Sequence, residues 1–320
     1  MRFEFDADEV ALQDTVRSFC RGRFPTDMVR AGEDTGSVVD RERWRELADL
    51  GVFGVAGPDG LGLRAGVVVF EELGRALLPG PLVDCALGAA FDGAVADGSS
   101  LAVVVEATEP VRMIEHPLQV DLLLVLDADL VRIVRPSKAF VAGLVAVERP
   151  LDSLTPIAPL SLVIADGEVV GDASVAGRAW RDGCLLTAAQ QVGLAFGALE
   201  LAVAYAKQRE QFGRPIGSFQ AVKHLAAEML VKAEVARVAV HAAACAADGA
   251  SPDDPIRAAS VAKMLAGEAA LFCGKTAIQI HGGMGYTWEV DAQRYWKRAC
   301  VLDTHFGNGD DHAERVAQTA

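Results

Sequence analysis

A carboxylate follows a glycine cluster near the C-terminus, in the segment QIHGGMGYTWEV that runs from Gln279 to Val290. Glycine has no Cβ, so the backbone at Gly282 and Gly283 can take a positive φ and approach a ligand closely. The N–H groups of such a turn suit a phosphate or pyrophosphate. Glu289 follows two aromatic residues, and apolar surroundings would raise its pKa toward that of a general base. The alternative is that the glycines only end a helix.

Two C-terminal segments carry motifs in a defined order. The first, YAKQREQFGRPIGSFQ, contains an RxxFG motif at Arg209, Phe212 and Gly213. Gln220 follows eleven residues after the arginine, and a QIxGGxGY motif begins at Gln279. These motifs resemble the C-terminal domain of the flavin-dependent acyl-CoA dehydrogenases. The segments FEFDADEVALQDTVRSFC, ERWRELADLGVFGVAGP and FEELGRALLPGPL are similar to the opening helices of that family, so the resemblance covers most of the chain.

The resemblance implies an FAD cofactor, whose ADP half is contacted by these motifs while a neighbouring subunit holds most of the flavin. Arg209 would pair with the pyrophosphate as a fixed guanidinium fork. The residues that the resemblance assigns to this cofactor site are Arg209, Phe212, Gln220, Gln279, Gly282 and Gly283. Two simpler interpretations stay open: an ion pair between Arg209 and Glu210, and a core position for Phe212.

The resemblance also implies a reaction. The catalytic glutamate position of the family falls on Glu289, which would take the α-proton of a fatty or steroidal acyl-CoA thioester while FAD accepts a hydride. An electron-transfer flavoprotein would be the electron acceptor. Glu289 could instead begin a surface helix, where a helix N-terminus favours a carboxylate. A second base position of the family falls near Asp182, which is more simply a helix N-cap.

Composition excludes several classes of protein. The net charge of −14 argues against nucleic-acid binding, which needs a basic surface. No apolar run has the length and purity of a membrane span, and the acidic first twenty residues are unlike a signal peptide. The six cysteines are scattered, without a CxxC pair or a histidine at ligand spacing, which predicts buried free thiols. We expect a soluble, cytoplasmic protein without a metal site.

The pattern along the chain predicts an α+β multidomain fold. Residues 1–98 form an N-terminal α-helical domain, with Asp6 or Asp8 as the first N-cap. Residues 99–178 form a small middle β domain of short β-branched runs, with a hairpin turn at Asp127–Asp129. The remaining residues, 179–320, form a C-terminal helical domain that carries the motifs.

The C-terminal region is Ala-rich and helical from about Trp180. Pro215 and Gly217 are expected to end its first helix, and Ser218 to cap the second. Breaks at Asp248–Pro255 and at Gly282–Gly283 separate the following helices. Long helices joined by short loops pack antiparallel, which predicts a four-helix bundle.

The match to the family is weakest in the middle domain. Family members usually carry there a Thr- and Ser-containing segment and then a Trp-containing strand, which grip the isoalloxazine ring. Neither is found between Leu101 and Val175. This loss resembles shortened chains of actinobacterial acyl-CoA dehydrogenases, several of which act in steroid catabolism. Such a chain pairs with a full-length chain in a heterotetramer that holds half the usual number of flavins.

Three function classes follow. The first is a dehydrogenase with its own complete site, as a homotetramer. The second is a subunit that completes the flavin site of a full-length partner. The third is a helical scaffold without a cofactor. The retained motifs argue against the third class, and the missing middle-domain contacts favour the second over the first. A flavin oxidase or hydroxylase on the same fold stays open, because oxygen reactivity is not encoded in these residues.

Overall fold

Helices precede and follow a strand-rich region, as the sequence predicts. The structure is a computed structural model that describes residues 6–35, 39–107, 112–160 and 167–318. It contains two compact units, one made of Met1–Arg21, Val67–Leu78 and Cys184–Ala320, and the other of Gly22–Gly66 and Pro79–Gly183. The N-terminal helices are α1 (Ala7–Arg23), α2 (Thr26–Thr35), α3 (Arg41–Asp49), α4 (Leu63–Arg75), α5 (Leu82–Gly88) and α6 (Gly93–Ala96).

The start of α1 is fixed by a reciprocal cap. Asp6 Oδ1 accepts the backbone N–H groups of Asp8 and Glu9 at 3.0 and 2.9 Å, and Glu9 Oε2 accepts the N–H of Asp6 at 2.9 Å. This is a capping box, with an aspartate in place of the usual serine or threonine. Of the two predicted N-caps, Asp6 is therefore the one that forms.

The middle region contains two small sheets. Its elements are β1 (Ala102–Glu106), β2 (Arg112–Glu115), β3 (Leu122–Leu126), β4 (Leu130–Val134), α7 (Lys138–Ala142), β5 (Ile157–Leu160) and β6 (Glu168–Asp172). One sheet has the order β1-β3-β4-β6, with β1 and β3 parallel and the other pairs antiparallel, and β2 pairs antiparallel with β5. The Asp127 N–H donates to the Leu130 carbonyl at 3.0 Å, which confirms the predicted hairpin turn. Of the predicted run SLVIADGEVVG at residues 161–171, residues 161–166 lie outside the described residues, and most of the remainder lies in β6.

The C-terminal region is dominated by long helices. Its elements are α8 (Ala173–Gln208), β7 (Glu210–Gln211), β8 (Arg214–Pro215), α9 (Gln220–Ala247), α10 (Pro255–His281), α11 (Ala292–Thr304) and α12 (Gly309–Gln318). The first helix begins at Ala173, seven residues before the predicted start, and ends at Gln208, before Pro215. The prediction of Ser218 as an N-cap is wrong, because Phe219 holds that position without a side-chain bond. The predicted breaks after α9 and α10 are confirmed.

Contacts between the helices give their directions. Lys232 of α9 pairs with Glu268 of α10, and Met229 of α9 accepts a hydrogen bond from Cys273, so residue numbers rise on one helix as they fall on the other. The backbone of Trp296 in α11 lies against Gly274, whereas Lys263 reaches the end of α11. Helices α9 and α11 are therefore both antiparallel to α10, as the predicted four-helix bundle requires.

Helix α8 packs closely against α4 at two of its glycines, which are four residues apart in the sequence. A Cβ on Gly193 would collide with the Glu71 carbonyl and lie 2.6 Å from the Arg75 amide nitrogen. A Cβ on Gly197 would lie 2.8 Å from the Arg75 carbonyl, which instead accepts a hydrogen bond from the Tyr295 hydroxyl at 2.8 Å. The missing side chains let the two backbones meet.

Helix α8 is long and apolar enough to cross a membrane by length and composition alone. In its most apolar 18-residue window, 89% is buried inside the protein. That burial matches a core helix of a bundle, which is apolar around much of its circumference.

Candidate functional site

The RxxFG motif forms a tight hairpin after α8. Strands β7 and β8 pair antiparallel, and the two residues between them, Phe212 and Gly213, have φ values of 54° and 76°. Positive φ at both central residues defines a type I′ turn, for which glycine is well suited and phenylalanine is not. Phe212 is 92% exposed at the tip, with its ring edge-on to Phe219 at 6.1 Å. The core interpretation of Phe212 is therefore wrong.

The polar side chains of both motifs face solvent. Arg209, Gln220 and Gln279 are all exposed. None of these three side chains has a hydrogen bond or salt bridge to any residue in the described ranges, so the alternative ion pair between Arg209 and Glu210 does not form. A guanidinium and two carboxamides are thus left available on the surface of one helical unit. These groups can donate hydrogen bonds to phosphate oxygens.

The glycine turn continues from the last residue of α10. Gly282 has a φ of 60°, and the segment Gly282–Tyr286 forms a 3-10 turn. A Cβ on Gly282 or Gly283 would meet no atom within 4 Å, so the space outside this backbone is open. Gly285 has another role, because its Cβ would lie 2.6 Å from the Ile278 carbonyl, and the turn folds back on α10 there. A ligand could approach the first two glycines closely.

One aromatic contact joins the two motifs. The ring of Tyr205, one turn before Arg209 on α8, stacks on His281, which directly precedes Gly282, with centroids 4.2 Å apart. Gln191 also faces α10, with its Nε2 3.5 Å from the position of a Cβ on Gly267. The same offset of 76 residues relates both pairs, so α8 and α10 run parallel. The hairpin and the glycine turn therefore emerge at the same end of the bundle.

Glu289 lies in a loop between the glycine turn and α11. Its side chain is exposed, with Oε2 3.5 Å from the Thr287 hydroxyl. The neighbouring aromatic rings do not enclose it, because Tyr286 is 78% and Trp288 60% exposed. The described residues thus do not form the expected apolar surroundings, and α11 begins only at Ala292. The catalytic role of Glu289 stays a prediction.

The loop around Glu289 has a defined conformation. The Arg294 guanidinium, buried on α11, donates to the Trp288 carbonyl at 3.0 Å and pairs with Asp291 at 2.9 Å. Lys297 Nζ lies 4.5 Å from the centroid of the Trp288 ring, which is a cation–π distance. These contacts hold the backbone of the loop, while the side chain of Glu289 is exposed.

The second base position is not at a helix terminus. Asp182 lies well inside α8, so the N-cap interpretation is wrong. Arg181 Nε donates to Asp182 Oδ1 at 2.7 Å, and both side chains are only partly exposed.

The sequence did not predict a set of buried polar side chains inside the bundle. Three side chains are fully buried and have no hydrogen-bond partner in the described part of the chain: Thr187, Gln191 and Ser260. Nearby, buried Lys263 donates to the carbonyls of Asp303 and Gly307 at 3.1 and 3.2 Å. The signal in the sequence is a threonine and a glutamine four residues apart in a mostly apolar stretch of α8, which places both on one face.

These residues fit the ADP half of FAD. The open glycine backbone and the exposed guanidinium and carboxamides suit a pyrophosphate with its ribose and adenine. The middle region is different, since no tryptophan occurs between residues 101 and 175. The residues present therefore match the nucleotide end of the cofactor better than its ring end.

Comparison with known proteins gives the family. The family model for the acyl-CoA dehydrogenase N-terminal domain matches residues 6–101, and that for the C-terminal domain matches residues 174–320. The chain is 34% identical to the acyl-CoA dehydrogenase FadE34 of Mycobacterium tuberculosis, over 97% of its own length but only 47% of that protein. It thus spans about half of FadE34.

Two further matches extend over nearly full lengths. The chain is 33% identical to the acyl-CoA dehydrogenase IpdE2 of Mycolicibacterium smegmatis, covering 90% of this chain and 91% of that protein. A solved structure of the Tcur3481-Tcur3483 steroid ACAD, a G363A variant, matches with a TM-score of 0.81 and 27% identity over 97% of each chain.

The predicted family and fold are confirmed by these matches. Both helical regions of the family occur in the expected order, with a small sheet region between them. The family uses FAD as its cofactor and catalyses oxidoreductions, and this chain belongs to the acyl-CoA dehydrogenase family.

Proposed function

We propose that this chain is a subunit of a heteromeric acyl-CoA dehydrogenase and completes the flavin site of a full-length partner. In this assembly, Arg209 pairs with the FAD pyrophosphate, and Gln220, Gln279 and the Gly282–Gly283 backbone contact the rest of the ADP half. Phe212 extends the hairpin toward the same ligand. Together with the partner, the chain serves the α,β-dehydrogenation of an acyl-CoA thioester.

One observation carries this proposal. The groups suited to the nucleotide end of FAD are exposed at one end of the helical unit and have no partner among the described residues, whereas the middle region lacks the tryptophan strand expected to grip the flavin ring. A chain that held its own flavin would need both parts. A chain that lends contacts to a neighbour needs only the first.

The lengths of the relatives support a partner of comparable size. IpdE2 has nearly the same extent as this chain, while FadE34 is about twice as long. The half of FadE34 outside the match is long enough to supply, within one polypeptide, what this chain would obtain from a partner. The name Tcur3481-Tcur3483 also joins two designations in one steroid enzyme.

The chemistry divides between cofactor and protein. FAD, when bound, supplies the oxidant that accepts the β-hydride. The residues of this chain bind and orient the cofactor. Arg209 neutralises the charge of the pyrophosphate, and the open glycine backbone lets the phosphates approach without a steric clash.

We assign a steroidal acyl-CoA as the substrate class, an electron-transfer flavoprotein as acceptor, a tetrameric assembly and a cytoplasmic location. Domain boundaries near residues 98 and 178 belong to the same proposal.

A second candidate function is a dehydrogenase with its own active site. It is favoured by Glu289, which lies next to the glycine turn and could hold the substrate α-proton on its carboxylate. This function requires a neighbouring subunit to cover the exposed loop, since burial disfavours the charged form of a carboxylate and so makes it a stronger base.

The first experiment is the flavin content and mass of the purified chain. The proposal predicts a colourless chain alone, and about one FAD per two chains after co-expression with a full-length acyl-CoA dehydrogenase from the same source. Close to one FAD per chain in a homotetramer would contradict it and establish the second candidate. Light scattering gives the mass, and the flavin absorbance after denaturation gives the stoichiometry.

A further inference from the structure

We propose that Tyr205 and His281 form a positioning pair that holds the RxxFG hairpin and the QIHGG turn in a fixed relation. The relevance of the pair to FAD rests on the proposed function above. The coupling of the two segments is a property of this chain alone. Neither residue is expected to touch the reacting atoms.

Tyr205 is connected to the hairpin through the backbone. Its carbonyl accepts the N–H of Arg209 at 2.8 Å, so the helical hydrogen-bond pattern continues to Arg209 at the start of the hairpin. The carbonyl of Arg209 in turn accepts the N–H of Ile216 at 2.7 Å and closes the base of the hairpin. Tyr205 and the hairpin therefore belong to one hydrogen-bonded stretch of backbone, which orients the Arg209 guanidinium.

His281 is connected to the glycine turn in the same way. It is the last residue of α10, it is 5% exposed, and it directly precedes Gly282. Its Nδ1 lies 2.7 Å from the Ala277 carbonyl, so Nδ1 carries the hydrogen and the ring orientation is fixed. The opposite face of this turn is open, as no atom lies within 4 Å of a Cβ on Gly282 or Gly283.

The stack matters because the ligand-facing side chains do not fix one another. Arg209 and Gln279 make no hydrogen bond or salt bridge with any described residue. Their separation is thus set by the backbones of α8 and α10, which the two stacked rings connect. Parallel α8 and α10 end together, and the rings, 4.2 Å apart and inclined by 23°, lie between the two exits.

Hydrogen exchange tests the coupling without any cofactor. In Tyr205→Ala, we expect the amides of Gly282 and Thr287, which bond to the Gln279 and Met284 carbonyls, to exchange about 3- to 10-fold faster. In the converse variant, His281→Ala, the Ile216 amide should exchange faster by a similar factor. Coupling between two sites is reciprocal, so both effects must occur.

Aromatic replacements and a distant core variant are the controls. Tyr205→Phe and His281→Phe keep a stacked ring and should restore slow exchange in the other segment, whereas a general loss of stability would not be rescued in this way. Val240→Ala, at a buried position of α9, lowers global stability without touching either ring. Acceleration confined to the mutated segment, or equal acceleration in Val240→Ala, would overturn the proposal.

FAD retention by the purified complex separates this inference from the proposed function. If both hold, Tyr205→Ala loses FAD about 3- to 10-fold faster than wild type, and Tyr205→Phe does not. If Arg209→Ala leaves FAD retention unchanged while the exchange coupling persists, the proposed function fails and the positioning pair stands. If Arg209→Ala loses FAD but the exchange of the two segments is independent, the pair fails alone.

Discussion

Arg237 on α9 and Glu71 on α4 form a partly buried ion pair in which the guanidinium Nε lies 3.2 and 3.1 Å from the two carboxylate oxygens. Glu71 is 1% exposed, and Arg75 approaches it at 3.1 Å from one turn along the same helix. Both guanidinium groups also lie over the Phe196 ring of α8, at 4.1 and 4.9 Å. The pair thus joins three helices of the unit that carries the cofactor motifs.

This pair predicts an acid-sensitive unit. Burial alone would raise the pKa of Glu71, but His241 and the Arg237 guanidinium outweigh it and lower the pKa to about 2. The folded pKa is below the unfolded value near 4.5, so the stabilisation is complete above that value and is lost as the pH falls from about 4.5 to 2. Each pKa unit is worth about 1.4 kcal/mol, which predicts a loss of about 3 kcal/mol.

Urea denaturation at several pH values measures this loss. In Glu71→Gln the free energy of unfolding should be about 1.5–3 kcal/mol lower at pH 7, because Arg237, which is itself partly exposed, loses its charge-assisted hydrogen bonds to the carboxylate. The slope between pH 4.5 and 2 should be shallower in the same variant. An unchanged slope would mean that other carboxylates cause the acid loss.

Replacing a glycine of α8 by alanine should have opposite effects on the free energy of unfolding at two different positions. Gly193→Ala places a Cβ against the Glu71 carbonyl and should lower the free energy of unfolding by about 1–3 kcal/mol through overpacking. Gly177→Ala, in the same helix, meets no atom within 4 Å and should stabilise the chain by about 0.5–1 kcal/mol. Similar effects of both substitutions would contradict the close contact of α4 and α8. Thermal or urea unfolding of the two variants is sufficient.

Substitution at the strained tip of the hairpin should affect the stability of the chain and the binding of FAD in different ways. Phe212 has a φ of 54°, which costs about 1–2 kcal/mol for a residue with a Cβ. Phe212→Gly removes that cost at an exposed position, so the melting temperature should stay equal or rise. FAD retention by the complex should nevertheless fall if the ring contacts the cofactor. Gly213→Ala, at a φ of 76°, should instead lower the melting temperature.

Arg209 offers the most direct test of the cofactor surface. Arg209→Ala in the co-expressed complex should lower FAD retention by about 10-fold or more, since charge-assisted hydrogen bonds are worth about 1.5–3 kcal/mol. Arg257→Ala is the matched control, because Arg257 is an exposed arginine at the opposite end of α10, about 35 Å away. Equal FAD content in wild type and Arg209→Ala, measured by flavin absorbance after desalting, would refute the assignment.

The sequence predicted elements well where a local signal was strong. The breaks after α9 and α10 follow from Pro255 and Gly282, and the hairpin at Asp127 from a polar turn between β-branched runs. The hairpin after α8 was missed because its type I′ turn is Phe-Gly rather than Asn-Gly, the usual signature. The early start of α8 was missed because Gly177 is a poor helix former, and tertiary packing overrides such preferences.

The exposure of site residues could not be predicted in the same way. Tyr286 and Trp288 are large aromatic residues next to Glu289, and such residues are usually well buried. Here Arg294 and Lys297 hold the loop from the α11 side and leave both rings largely in solvent. Burial depends on which neighbours the fold brings together, and for a subunit it also depends on other chains.

Glu289 therefore gives the test that separates the two candidate functions. If the partner supplies the base, Glu289→Gln should change the turnover of the complex by less than about 2-fold, because the α-proton is then taken by another side chain. A general base in the site contributes about 10²- to 10⁴-fold, so a loss of that size would assign the chemistry to this chain. Asp291→Asn, in the same loop, is the control for a change in loop conformation through Arg294. Rapid single-turnover reduction of the flavin by an acyl-CoA measures the step itself, and equal rates in wild type and Glu289→Gln would leave this chain the role of completing the flavin site.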